Sequence, residues 1–141
     1  MCQKGDIILV KGYAHEGVTI SSHPFVVLSD EAGQVCGLDF DLIALAMSSF
    51  KNEDQKRRKL SYPGNFPVSA SEKNMNGMVS KDAYIKAEQF FYFDKASLNY
   101  VHIGSITSEA WESLLAFIEA FSEKGISIER VIDNLKNDPG R

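Results

Sequence analysis

His23 and Pro24 stand together in the stretch "TISSHPFVVLSDEAG", residues 19–33, with an apolar run directly behind them. An imidazole has an unperturbed pKa of about 6.5, so it can take and return a proton near neutrality. Proline disfavours the helical region for the residue before it and holds that residue extended. The pair therefore aims a proton carrier from the mouth of a strand. A second chemical feature is the cationic run in "KNEDQKRRKLSYPG", where Lys51, Lys56, Arg57, Arg58 and Lys59 are a third of the 15 Lys and Arg in the chain. Tyr62 and Phe66 follow it. Rings flanked by cations suit single-stranded RNA, whose bases stack on the rings while charge meets the phosphates. A solvated loop and ordinary packing at a sheet edge account for the same residues. Asp39 and Asp41 in "GLDFD" share one side of an extended segment, but no His or third acid lies at convincing spacing, so no metal site is expected. His15 falls in a loop over residues 13–22. His102 alternates out of the core with no partner near it in sequence.

The 141 residues make one domain, long enough to bury a core without disulfides or a structural metal. The charge of −4 argues against bulk electrostatic binding of nucleic acid, although a local basic patch fits an acidic chain. No window approaches the roughly 18 apolar residues of a membrane span. The opening "MCQKGDIILV" lacks a signal-peptide layout, and Cys2 and Cys36 lack metal-ligand spacing. A reduced, cytoplasmic protein with no membrane association is the expectation.

The elements that must hold these residues read as strands up to about residue 106. "DIILV" (6–10) and "PFVVLS" (24–29) are short and β-branched. "DLIALAMSS" (41–49) is continuously apolar, as in a strand buried on both faces, and a short helix remains open as an alternative. "NFPVSAS" (65–71) carries Pro67 and belongs at an edge. Asn76-Gly77 marks a turn. "AYIKAEQFFYF" (83–93) and "NYVHIGSI" (99–106) alternate, the latter with Val101 and Ile103 inward. After residue 107 the period becomes helical: Trp111, Leu114, Leu115, Ile118 and Phe121 form a stripe that Phe117 widens, with Thr107 or Ser108 as cap and Gly125 as stop. A second helix is expected from Ser127 to Pro139-Gly140. The fold class is mainly β with C-terminal helices: a small barrel or sandwich over about 4–106 and a helical part over about 107–138.

Four pieces in this order resemble the PemK/MazF family of toxin endoribonucleases. "KGDIILV" resembles the family's opening strand. "HPFVVLSDE" resembles its second strand, where a basic residue precedes proline. "ALAMSSFK" resembles the end of its third strand, and "YIKAEQFFYFDKASLNYVHIGSITSEAWESLL" resembles its C-terminal half. The likeness covers about residues 4–120. It implies an SH3-like β-barrel with one or two helices, commonly dimeric, that cleaves single-stranded mRNA without metal or other cofactor and is covered by a cognate antitoxin protein.

Cleavage of that kind uses the RNA's own 2′-hydroxyl as nucleophile. It needs a base, an acid for the departing 5′-oxygen, and a donor or cation for the phosphate. The family gives these roles largely to an arginine before the second-strand proline and a threonine ending the third strand. Here the matching positions hold His23 and Ser48, with Ser49 adjacent. Serine keeps a hydroxyl donor, and histidine exchanges protons but lacks arginine's permanent charge. The resemblance thus points to His23, Ser48 and Ser49 as catalytic. Lys51 is the first candidate for the fixed charge and the Lys56–Lys59 run the second. Arg57, Arg58, His15 and Tyr62 are the further substrate contacts. Two other readings keep the fold: a non-catalytic RNA- or protein-binding module, and a gyrase-poisoning toxin.

Overall fold

The computed structural model describes residues 2–77 and 79–135. A long hairpin comes first: β1 (Asp6–His15) and β2 (Val18–Ser29), joined at Glu16-Gly17. The stretch 13–22, expected as a loop, is thus the outer half of this hairpin. A small separate ribbon, β3 (Gly33–Val35) and β4 (Leu38–Phe40), precedes β5 (Leu42–Ser49). Then come helix α1 (Glu53–Leu60), β6 (Asn65–Val68), a single 3₁₀ turn, and β7 (Lys73–Met75). Strands β8 (Ala83–Lys86), β9 (Gln89–Phe93) and β10 (Tyr100–Ile106) lead to helices α2 (Ser108–Glu119) and α3 (Phe121–Lys124), and β11 (Glu129–Val131) follows.

The main sheet runs β11-β9-β5-β2-β1-β10-β7, and β8 bridges β5 to β6. Every pairing is antiparallel except β11 with β9. The sheet is open: among the described residues no pairing joins its ends. Chain 83–93, expected as one strand, kinks at Ala87-Glu88. There the Ala87 amide turns to the Gly64 carbonyl and the Glu88 carbonyl accepts from Glu129, so the partner changes from β6 to β11 across the kink.

Both faces of the sheet are buried, and strand alternation divides the apolar residues between them. One face packs Val26, Leu45, Met47, Ile85 and Val68 against Ala110, Leu114 and Phe121 of the helices. The other packs Phe25, Val27, Ala44, Phe91 and Phe93 with Tyr13 and Val131. The 41–49 run is accordingly a strand. Helix α2 starts where the Thr107 hydroxyl accepts from the Ala110 amide, and Gly125 closes α3 with φ 71°. A left-handed stop of that kind favours glycine.

Three further expectations change. The basic run is a helix, α1, whose side chains include none that is fully buried. Residues 127–135 are not helical: Val131 enters the core and its backbone completes the edge of β9, which outweighs the local helical signal. The Pro139-Gly140 stop lies outside the described residues. Val101 faces outward, 45% exposed, because a bulge in β10 at Ile103, opposite the Ile7–Ile8 step of β1, shifts the register of the strand.

Candidate active site

His23 sits on β2 opposite Val10, with Pro24 opposite Leu9. Pairing of β2 with β5 sets Phe25 against Ala46, and continuing that register brings His23 across from Ser48. Their side chains meet: His23 Nε2 is 3.3 Å from Ser48 Oγ. The imidazole is half-buried, with the rings of Phe25 and Tyr13 at 5.8 and 6.4 Å between centroids. Burial holds its pKa below the usual 6.5, opposed by a hydrogen bond with the Met47 backbone. Neutral imidazole is therefore the resting form at pH 7, able to accept a proton. Burial pushes the Tyr13 phenol above 10, so it stays protonated beside the histidine.

Ser48 is also in register with Tyr84 on its other side, through β5 and β8. Residues directly opposite share a face, so the row His23, Ser48, Tyr84 crosses three strands. Phe50 stacks on Tyr84 at 5.2 Å and 30°. Lys56 Nζ lies 5.8 Å from the Phe50 ring centre and Lys59 Nζ 6.0 Å from that of Tyr84. Helix α1 thus lays two ammonium groups on two stacked rings, at cation–π distance, beside the His23–Ser48 pair. Asn52 caps this helix by accepting from the Gln55 amide, with Glu53 and Asp54 in its first turn and basic residues in its last, the order the helix dipole favours.

The remaining expected residues disperse. Ser49 is exposed and alternation turns it from the Ser48 face. Lys51 is exposed at the start of α1, its amide donating to Gln55 Oε1 at 2.6 Å. Arg57 is paired with Asp54 on its own helix, and Lys56 lies 3.6 Å from Asp82. Arg58 is exposed on α1 and carries no side-chain ion pair among the described residues. Tyr62, 53% exposed, stands at the wall of a cavity that Lys59 and Tyr84 also line. His15 is elsewhere, at the hairpin tip, its ring edge-on to Phe91 at 5.2 Å.

Asp39 and Asp41 have local duties: Asp39 accepts from Gln34 Nε2 and Asp41 from the Lys95 amide. Among the described residues, those that bring ligand atoms within 4.8 Å of one another are instead His15, Glu16 and Glu129. Glu129 there accepts from Gln89 Nε2 at 2.7 Å. His102, which has no sequence-local partner, lies 3.5 Å from Asp6 and 3.0 Å from the Asn76 amide nitrogen. Phe50, Tyr84 and Lys86 escaped the sequence reading. The outward-facing Tyr84–Lys86 alternation was the available signal, but it gave no means of pairing Tyr84 with Ser48.

Compared with known proteins, the chain matches no family model and no curated protein.

Proposed function

We propose that the chain is a toxin endoribonuclease of a toxin–antitoxin pair, with a PemK/MazF-like SH3-type barrel, cleaving single-stranded RNA through the substrate's 2′-hydroxyl without a metal ion. The observation that carries the reading is the facing pair His23 Nε2 and Ser48 Oγ, 3.3 Å apart beside a row of rings and ammonium groups. Neutral His23 takes the proton from the 2′-hydroxyl. The 2′-oxygen then bonds to phosphorus, the bond from phosphorus to the 5′-oxygen breaks, and the imidazolium returns its proton to that oxygen. The products are a 2′,3′-cyclic phosphate and a 5′-hydroxyl. Ser48 donates to a non-bridging oxygen, and Lys59 supplies the charge that the histidine lacks once deprotonated.

Strand β6 supports the antitoxin part of the reading. It pairs with β8 alone among the described residues, so its other edge can take an extended segment of a partner. The enzyme is taken as a homodimer in the cytoplasm.

The test is incubation of purified chain with long single-stranded RNA in excess EDTA, followed by mapping of the ends. Discrete cuts leaving cyclic phosphates, lost in His23→Ala, support the reading. Tight, salt-sensitive RNA binding with no cutting replaces it with a non-catalytic module.

A further inference from the structure

Beyond Tyr84 opens a cavity of about 380 Å³, walled in part by Lys59, Tyr62, Asn65, Tyr84, Lys86 and Glu88. Two of these residues hold buried acceptors to which nothing donates: Asn65 Oδ1 and Glu88 Oε2. Asn65 is 7% exposed, and its amide nitrogen is committed to the Lys59 carbonyl at 2.8 Å. The Glu88 carboxylate lies close over Gly64, where a methyl group would meet Oε2 at 1.9 Å. Glu88 has no ion pair among the described residues. Buried acceptors are almost always satisfied, so two unsatisfied ones on residues that line a single cavity call for a ligand that brings donors.

We infer that this cavity is a guanine subsite of the RNA groove. The inference takes from the proposed function that the ligand is RNA. The phenol rings of Tyr62 and Tyr84 supply stacking surface for a planar base, and Lys59 and Lys86 supply charge for the flanking phosphates. Guanine is the RNA base that presents two adjacent donors on one edge, N1–H and the 2-amino group. Adenine and cytosine each set one amino group beside a ring acceptor, and uracil sets one N–H between two carbonyls. Two acceptors left without donors select guanine. Because Tyr84 is in register with Ser48, the base held here belongs to a nucleotide neighbouring the bond at His23.

The test is fluorescence anisotropy with 2′-O-methyl oligonucleotides, which bind but lack the nucleophile. The probes are an oligo-A, the same oligomer with one central guanine, and a third with inosine there, which lacks the 2-amino group. The guanine oligomer is expected to bind about five- to a hundredfold more tightly than oligo-A, the range for a two-point base contact, with inosine between them. Glu88→Gln, which keeps the shape and replaces one acceptor by a donor, is expected to erase the preference and spare oligo-A binding. Equal binding of all three oligomers, or a preference that Glu88→Gln leaves intact, overturns the guanine site and leaves the nuclease reading standing. Calorimetry with guanosine 5′-monophosphate separates the two further. Its binding without oligomer binding supports the guanine site and removes RNA as the source, and binding of neither overturns both.

Discussion

His23 and Ser48 come from strands β2 and β5 and face each other across a single strand pair, imidazole nitrogen to hydroxyl oxygen 3.3 Å apart. Replacing either leaves strand pairing untouched, so the pair can be tested without unfolding the sheet. His23→Ala is expected to lower RNA cleavage on the order of a thousandfold, within the range for losing a general base. Ser48→Ala is expected to cost about a hundredfold, as for one donor to a developing oxyanion. Initial rates with matched circular dichroism spectra check this, and an unchanged rate in His23→Ala removes the histidine from the chemistry.

The direction of the His23 shift sets a pH dependence of activity. Its pKa in the folded chain lies below 6.5 because burial penalises the imidazolium. Cleavage is therefore expected to rise with pH along an acid limb centred below 6.5 and to be level there through neutrality. A limb centred above 6.5 would assign the base to another group.

Stability follows the same shift. At pH values above 6.5 the histidine is neutral folded or unfolded and costs nothing. As pH falls from 6.5 toward the lower folded pKa, the unfolded chain binds a proton that the folded chain refuses, and stability is lost. Urea midpoints across pH 7 to 5 are expected to fall for the wild type and to fall less for His23→Gln.

The ladder of Lys56, Phe50, Tyr84 and Lys59 was beyond the sequence for a physical reason. Helix α1 buries no side chain fully, so it leaves no apolar stripe to read, although Asn52, Glu53 and Asp54 do spell a helix start. Strands 6–10, 24–29 and 41–49 and helix α2 were legible because their apolar periods reflect burial. The residues after Ser127 were not, since β11 forms only because β9 offers it an edge. The extended placement of His23 on its strand was legible through Pro24. Its contact with Ser48 depends on a register that no local pattern encodes.

Lys59 and Tyr84 give that ladder a measurable output. Tyr84→Ala is expected to weaken single-stranded RNA binding by about 1–3 kcal/mol, the usual worth of one stacked base. Lys59→Ala is expected to reduce the slope of log affinity against log salt by about 0.7, one phosphate contact on a single strand. Filter binding over a salt series distinguishes them, because the ring substitution should leave the slope alone.

Gly104 tests the sheet itself. A methyl there would sit 2.5 Å from the Asn74 carbonyl oxygen and 3.1 Å from the Met75 Cα, both backbone atoms of the paired strand β7. Gly104→Ala is expected to destabilise the fold by about 1–3 kcal/mol through overpacking. A urea midpoint equal to the wild type would show that β7 moves aside freely.

Strand β1 lies between β2 and β10, so Leu9 is opposite Pro24 on one side and Val101 on the other. The first partner is made soon after β1 itself, and the second arrives only when synthesis has passed residue 100. Until then one flank of β1 is a bare row of amides and carbonyls. The order of manufacture thus acts as a safety catch: a chain cut short before residue 100 lacks the strand that seals its sheet, and goes to aggregation or proteolysis instead of accumulating.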